Sequence, residues 1–323
     1  MGLTPRMLRP PGKGYPVGAG RFQAATGSPQ GRPGPSRRRP WFAAIMLVIM
    51  LGGGVAACGG PPPRAAATPP AGPSRPAPLS RPAEPSSAAT AATLCGQAGW
   101  PQTPVEGGAY IVQNDEWNST AAECITTDGH AQFTVASSAI REPASGDPGG
   151  YPSIYSGCSA GVCTAGNKMP IRVSRLKPGM ITSSWVTTQP PDGAYDVAYD
   201  IWFNRAPATS GAPDGGELMI WLAHRGGSQI APAGAPVAHV AIDGYAFTLW
   251  LWTSAAGQHR ISYVMDHPVR SVRDFDVSGV AADAARRGYL SATSYLLNVQ
   301  AGFEIWQGGR GLGTESFALS VGS

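Results

Sequence analysis

Gly215-Gly216-Glu217-Leu218-Met219-Ile220-Trp221-Leu222 is the stretch whose reading decides the fold. A β-strand sends successive side chains to opposite faces. Leu218, Ile220 and Leu222 then point into a core, and Glu217, Met219 and Trp221 point away from it. A carboxylate flanked by Met and Trp is an odd outer face for a solvated strand, where Thr, Lys or Ser would be cheaper to expose. Near the C-terminus Ala301-Gly302-Phe303-Glu304-Ile305-Trp306 repeats the pattern, with Phe303 and Ile305 inward and Gly302, Glu304 and Trp306 outward. A third strand, Tyr195 to Phe203, puts Tyr195, Val197, Tyr199, Ile201 and Phe203 on one face and Asp196, Ala198, Asp200 and Trp202 on the other. Three strands thus place an acid near a Trp on the face opposite the aliphatic one.

Around these strands the texture from Trp100 onward is short runs of Val, Ile, Thr, Tyr, Phe and Trp broken by Gly, Pro, Asp and Asn, the signature of an all-β sandwich or barrel. Strands are expected at Ala109–Gln113, His130–Ala136, Ile171–Leu176, Ile181–Thr187, Ala194–Phe203 and Glu217–Leu222. Further strands are expected at Ala238–Ile242, Ala246–Trp252, Gln258–Val264, Leu296–Trp306 and Ser316–Val321. One helix is expected, from Val277 to Arg287, entered after Asp274 and Asp276 and ended by Gly288.

The N-terminal part is a different fabric. Residues 1–40 are rich in Arg, Pro and Gly without hydrophobic periodicity. Trp41 to Val55 is an apolar run of 15 residues, short for a membrane span of about 20 and suited to an export signal. It leads through Val55-Ala56-Ala57 to Cys58, which resembles a lipobox, so residues 1–58 read as an export signal with Cys58 the lipidation site. A simple secretory signal and an uncleaved anchor are the alternatives, and Met7 and Met46 are alternative starts. Residues 59–94, Pro/Ala-rich, read as an extended tether, leaving 95–323 as an exported, cell-surface domain that touches the membrane only through its anchor.

The overall charge of +4 divides into +10 over residues 1–94 and −6 over 95–323. The basic character belongs to the export segment, so nucleic acid is excluded as a partner and a neutral substrate is favoured. Besides Cys58 there are four cysteines, which in an exported domain read as two disulfides. Four allow three connectivities; the short Gly-containing loop from Cys158 to Cys163 pairs those two locally and leaves Cys95 with Cys124. Zinc is disfavoured, because a second short-spaced pair and a His at finger spacing are both missing. The five histidines show no metal-ligand spacing, so no metal or cofactor is expected. Asn118-Ser119-Thr120 is a glycosylation sequon by pattern only.

Indole rings stack on the C–H faces of sugars while acids and amides take the hydroxyls, so a polar-aromatic groove suits a carbohydrate. The two Glu strands resemble the active-site strands of glycoside hydrolase family 12, the endoglucanases. Tyr110-Ile111-Val112-Gln113-Asn114 with Trp117, Tyr151-Pro152-Ser153-Ile154-Tyr155 and Ala198-Tyr199-Asp200-Ile201-Trp202 are similar to further family stretches in the same order. So are the Cys158–Cys163 loop and Gly308-Gly309-Arg310-Gly311-Leu312, and together the matches span the whole of 95–323.

The resemblance implies a β-jelly roll of two curved antiparallel sheets, acting as a monomer on internal β-1,4 bonds of cellulose or a related β-glucan, xyloglucan being the alternative substrate. It implies Glu217 as nucleophile, Glu304 as acid/base, Asp200 as the acid supporting the nucleophile and Met219 beneath the neighbouring sugar. Asn114 and Trp117 fall on the glycone side of the cleft, with Trp202 and Trp306 as further platforms. For double displacement the two carboxyls should lie about 5–5.5 Å apart. Asp115, Ser159 and the Thr293-Ser294-Tyr295-Leu296 stretch depart from the family pattern. Two rival readings fit parts of the sequence. Gly157-Cys158-Ser159-Ala160-Gly161 matches a nucleophile elbow, which needs β/α alternation that this chain does not show. A non-catalytic carbohydrate-binding module would explain the aromatic residues but not the Glu pair.

Overall fold

The computed structural model describes residues 89–322 apart from Gly99. The export segment, Cys58 and most of the tether lie outside the described residues. In chain order the strands are β1 (Ala92–Cys95), β2 (Gln102–Val105), β3 (Tyr110–Gln113), β4 (Glu123–Thr127), β5 (Phe133–Ser138) and β6 (Ser153–Ser159). Then come β7 (Val162–Cys163), β8 (Ile171–Arg172), β9 (Ile181–Thr188), β10 (Ala194–Asn204), β11 (Gly216–Arg225) and β12 (Ala235–Ile242). The last are β13 (Tyr245–Thr253), β14 (His259–Met265), β15 (Ser271–Asp276), β16 (Tyr295–Gly302), β17 (Ile305–Gln307) and β18 (Gly313–Val321), with α1 (Val277–Arg286) between β15 and β16.

They form two sheets. The smaller runs β1-β4-β5-β18-β9-β15. The larger runs β12-β13-β14-β11-β10-β16-β6-β3-β2, with β17 beside β10, β8 beside β16 and β7 beside β6. Pairing is antiparallel except between β11 and β14. The chain leaves β11 for the far edge, returns through the β12–β13 hairpin and comes back along β14, and that excursion is long enough for a parallel crossover.

The alternation read from the sequence holds at the centre. Tyr195, Val197, Tyr199, Ile201 and Phe203 of β10 and Leu218, Ile220 and Leu222 of β11 are buried in one core between the sheets. Trp185 of β9 meets Tyr199 edge-on at 5.0 Å and Phe303 at 6.0 Å between ring centroids, and its indole N–H donates to Thr314 Oγ1 at 3.0 Å. Helix α1 adds Val277, Val280, Ala281 and Ala284 to this core. Asp276 caps it by accepting from the Gly279 N–H at 2.7 Å, as an N-cap carboxylate does, and Gly288 follows it at φ +80°.

Several elements differ from the sequence reading. β4 is half polar, β15 (Ser271-Val272-Arg273-Asp274-Phe275-Asp276) is a charged edge strand, and β2 contains Pro104, so none of these shows a clean alternation. β1 begins ahead of Cys95, in sequence too plain to read as a strand, and pairs with β4. The expected strand Ile171–Leu176 stops at Arg172 and turns through a 3-10 helix, Val173–Arg175. That single turn carries both Val173 and Leu176 inward, which a strand could not do at a spacing of three. Disulfides join Cys95 to Cys124 and Cys158 to Cys163.

Candidate active site

The face of the larger sheet turned away from the core carries the acids. Across β10–β11, Trp202 lies opposite Glu217, Asp200 opposite Met219 and Ala198 opposite Trp221. On the other side of β10, Trp202 faces Asn298, Asp200 faces Gln300 and Ala198 faces Gly302. Parallel β14 completes the row, with Arg260 beside Glu217 and Ser262 beside Met219. Gly216 stands at φ +119° where β11 begins, a conformation that L side chains rarely adopt, so the residue before Glu217 is held to glycine. Beyond Asp200 the floor is a chain of amides. Gln113 Nε2 donates to Gln300 Oε1 at 2.9 Å and to Ser153 Oγ at 3.0 Å, and Asn298 Nδ2 donates to the Cys158 carbonyl at 2.7 Å.

Glu304 sits where the expected strand Leu296–Trp306 breaks between β16 and β17. The break has a local cause. Directly opposed residues of a hydrogen-bonded antiparallel pair exchange two backbone bonds. The Asp196 N–H does donate to the Glu304 carbonyl at 3.0 Å, but the Glu304 N–H goes to the Asp196 side chain, to Oδ1 at 3.2 Å. The carboxyl of Asp196 replaces its own carbonyl and releases Glu304 from the ladder. The other oxygen, Oδ2, is buried with no donor among the described residues, and burial and the charge of Glu304 hold the Asp196 carboxyl protonated to higher pH.

The carboxyls are set apart by their surroundings. Glu217 is 6% exposed; burial raises its pKa, and the Arg260 guanidinium, Nε to Oε2 at 2.6 Å, opposes that. Glu304 is pushed up to about 7, first by burial and then by the charge of Glu217, against a hydrogen bond from Asp196 and the pull of Arg260. Asp200 is raised by burial and by the charges of Glu217 and Glu304, and Asp196 by burial and by Glu304. The arrangement holds one carboxylate against a cation and a second carboxyl that keeps its proton close to neutrality, the division of labour that acid-assisted displacement requires.

A family model described as "Glycosyl hydrolase family 12" matches residues 108–322. The chain belongs to that family. It is a glycoside hydrolase. Among relatives of this family 12 chain is a "Probable cellulase Cel12b" of Mycobacterium tuberculosis, 32% identical over 158 residues, which covers 48% of this chain and 99% of the relative. A "Probable xyloglucan-specific endo-beta-1,4-glucanase A" of Neosartorya fischeri is 28% identical over 72% of this chain and 93% of its own length. Among solved structures, a metagenome-derived glycoside hydrolase family 12 endoglucanase superposes with a TM-score of 0.67 at 34% identity, covering 72% of this chain and 97% of that one. The sandwich is thus the β-jelly roll of family 12.

In the family 12 chain the residues singled out from the sequence have varied surroundings. Glu217, Met219, Asp200, Trp202 and Trp306 lie on β10, β11 and β17, and Glu304 joins β16 to β17. Met219 packs with Ala198, Trp221 and Trp306 in a second apolar cluster on this outer face. Trp306 is only 4% exposed and donates its indole N–H to the Gly146 carbonyl at 2.8 Å, so its ring is fixed in packing rather than offered as a platform. Trp202 and Trp117 are half-buried. Asn114 is fully buried and donates to the Gly96 carbonyl at 3.1 Å, while its Oδ1 has no partner. Asp115 is pushed up to about 7 by burial, and its charge acts on Asp200.

The sequence reading gave no role to Arg260, or to Asp196 as the partner of Glu304. The alternation used for the other strands would have found the arginine. Ile261 and Tyr263 are core residues, so Arg260 and Ser262 must share the face of Glu217.

Proposed function

We propose that Glu217 and Glu304 cut internal β-1,4-glucosidic bonds of a β-glucan by double displacement with retention. Membership of the family and the endoglucanase relatives support the reaction class. In the first step an oxygen of Glu217 bonds to the anomeric carbon as the glycosidic C–O bond breaks, and Glu304 gives its proton to the departing oxygen. In the second, Glu304 takes a proton from water, the water oxygen bonds to the anomeric carbon and Glu217 leaves as carboxylate. The observation that carries the reading is the ion pair of Glu217 with the Arg260 guanidinium, Nε to Oε2 at 2.6 Å, beside Glu304, which burial and the charge of Glu217 push up to about 7. Asp200, raised by burial and by the charge of Glu217, supports Glu217 as the protonated partner of a hydrogen bond, and Trp117 and Trp202 line the sugar path, which the fully buried Asn114 does not reach.

Proton NMR of the first products from a soluble β-glucan tests this. The β-anomer is expected first, and the α-anomer would overturn double displacement. Glu217→Gln should lose activity by several orders of magnitude while folding normally. A panel of cellulose, mixed-linkage glucan and xyloglucan reads the preferred backbone decoration.

We also propose that the domain is exported and anchored through Cys58. The lipobox-like sequence and two disulfides support this. Palmitate labelling that is lost in Cys58→Ala is expected, and unlabelled wild-type protein free in the medium would overturn the anchor.

A further inference from the structure

We infer that Arg260 is a positioning residue for the nucleophile: held between Glu217 and the face of Trp252, its guanidinium fixes one carboxylate oxygen and leaves the other to meet the sugar. This rests on the assignment of Glu217 above. Arg260 and Glu217 are direct neighbours across the parallel β11–β14 pair, and the single contact runs from Nε to Oε2 at 2.6 Å. Trp252 lies opposite Arg260 across β13–β14, with the guanidinium carbon 5.7 Å from the centroid of its ring. A cation at that range is attracted by the negative face of the indole. The arginine therefore has two anchors, one on each neighbouring strand, and both side chains of the ion pair are largely withdrawn from water, at 28% and 8% exposed.

The charges around Glu217 explain why the contact matters. Asp200 reaches the pair from β10 and Glu304 from the joint between β16 and β17, and each acts on Arg260. Behind them, Asp196 of β10 and Asp147 act on Glu304, Asp115 acts on Asp200, and the buried phenol of Tyr151 faces Asp196, Asp200 and Glu304. These neighbours are acids, and Arg260 is the cation set among them. Removing one partner of a buried ion pair leaves the other charge uncompensated. Glu217 without Arg260 would therefore keep its proton to higher pH and be free to rotate.

The test is covalent trapping with a 2-deoxy-2-fluoro-cellobioside that carries a good leaving group, followed by peptide mapping. In this reaction Glu217 displaces the leaving group and the glycosyl-enzyme accumulates, so the labelling rate reads nucleophilic attack alone. Three variants are compared with the parent over pH, and thermal unfolding checks the fold of each.

Arg260→Met should label Glu217 at least about tenfold more slowly, with the acid limb of the rate moved up by about one pH unit. Arg260→Lys should keep the acid limb near its place, because the charge stays, but lose rate, because an ammonium cannot reproduce the fixed planar donor. Trp252→Leu, which removes only the clamp, should fall between the parent and Arg260→Met. If Arg260→Met does not fold, the other two variants decide. Label on Glu217 with unchanged rate and unchanged acid limb would overturn the role of Arg260 and leave the nucleophile standing. Label on another residue would overturn the nucleophile itself, and this inference with it.

Discussion

Glu123 should be a residue whose replacement by Gln stabilises the protein, increasingly so as pH rises. It is fully buried on β4, beside Cys124. Burial, and then the charge of nearby Glu116, push it up to about 8, and neither carboxyl oxygen has a hydrogen-bond partner among the described residues. Its ordinary value is 4.5. Because the folded pKa is raised, the folded state holds a proton that the unfolded chain releases, so stability falls as pH rises through the window from 4.5 to about 8. At pH 7 keeping that proton costs about 3 kcal/mol, at 1.36 kcal/mol per pH unit above the ordinary value. Gln has the same shape and no such cost, although its amide brings donors that need partners, worth about 1 kcal/mol. The expected net gain is about 2 kcal/mol at pH 7, or roughly 4–8 °C in Tm for a domain of this size, and it vanishes at about pH 5, where the cost of the proton falls to that of the amide. Urea and thermal unfolding of both proteins at pH 4.5, 6 and 7.5 measure it. A difference that does not change with pH, or one that turns against Gln as pH rises, would refute the electrostatic account.

Other outcomes follow from the site. Glu304→Ala should lose most activity on glucan and recover part of it with azide, or on substrates with good leaving groups; no recovery would remove Glu304 from the acid/base role. Because Glu304 is pushed up to about 7 and must be protonated to act as acid, the kcat/KM profile of the parent should fall on the alkaline side near that value, and a flat profile to pH 9 would contradict it. Trp117→Ala should raise KM for soluble glucan by about tenfold with a smaller change in kcat, as loss of stacking does; an unchanged KM would place its ring elsewhere than under a sugar.

Much of this was legible in the sequence because a strand of period two advertises both of its faces. The faces of Glu217, Asp200 and the core residues between them are legible from alternation alone, while their roles come from the family resemblance, and β10 and β11 end within a few residues of the expected bounds. The break at Glu304 was not legible. It depends on the Asp196 side chain taking a backbone N–H across the sheet, a long-range event that no local pattern encodes. Trp306 shows the other limit. Its outward position was readable, but the loop carbonyl of Gly146 that captures its indole N–H comes from 160 residues away, and with it the change from platform to packing. Arg260 is a different matter, since its face was readable and only its partner was not, the register of β14 against β11 being set by the excursion through β12 and β13.

The parallel seam between β11 and β14, with Glu304 reached only after α1 and β16, means the reactive groups are spread over more than a hundred residues, from Asp196 to Glu304. Contacts of such high sequence separation carry loop-closure entropy before they return any enthalpy, so topologies rich in them fold slowly. Catalytic competence should therefore appear late in refolding, after the hairpins, and in step with the last sheet contacts. Recovery of turnover would then be a stricter clock of native assembly than fluorescence or circular dichroism, and no fragment lacking β14 or β16 should hydrolyse glucan at all.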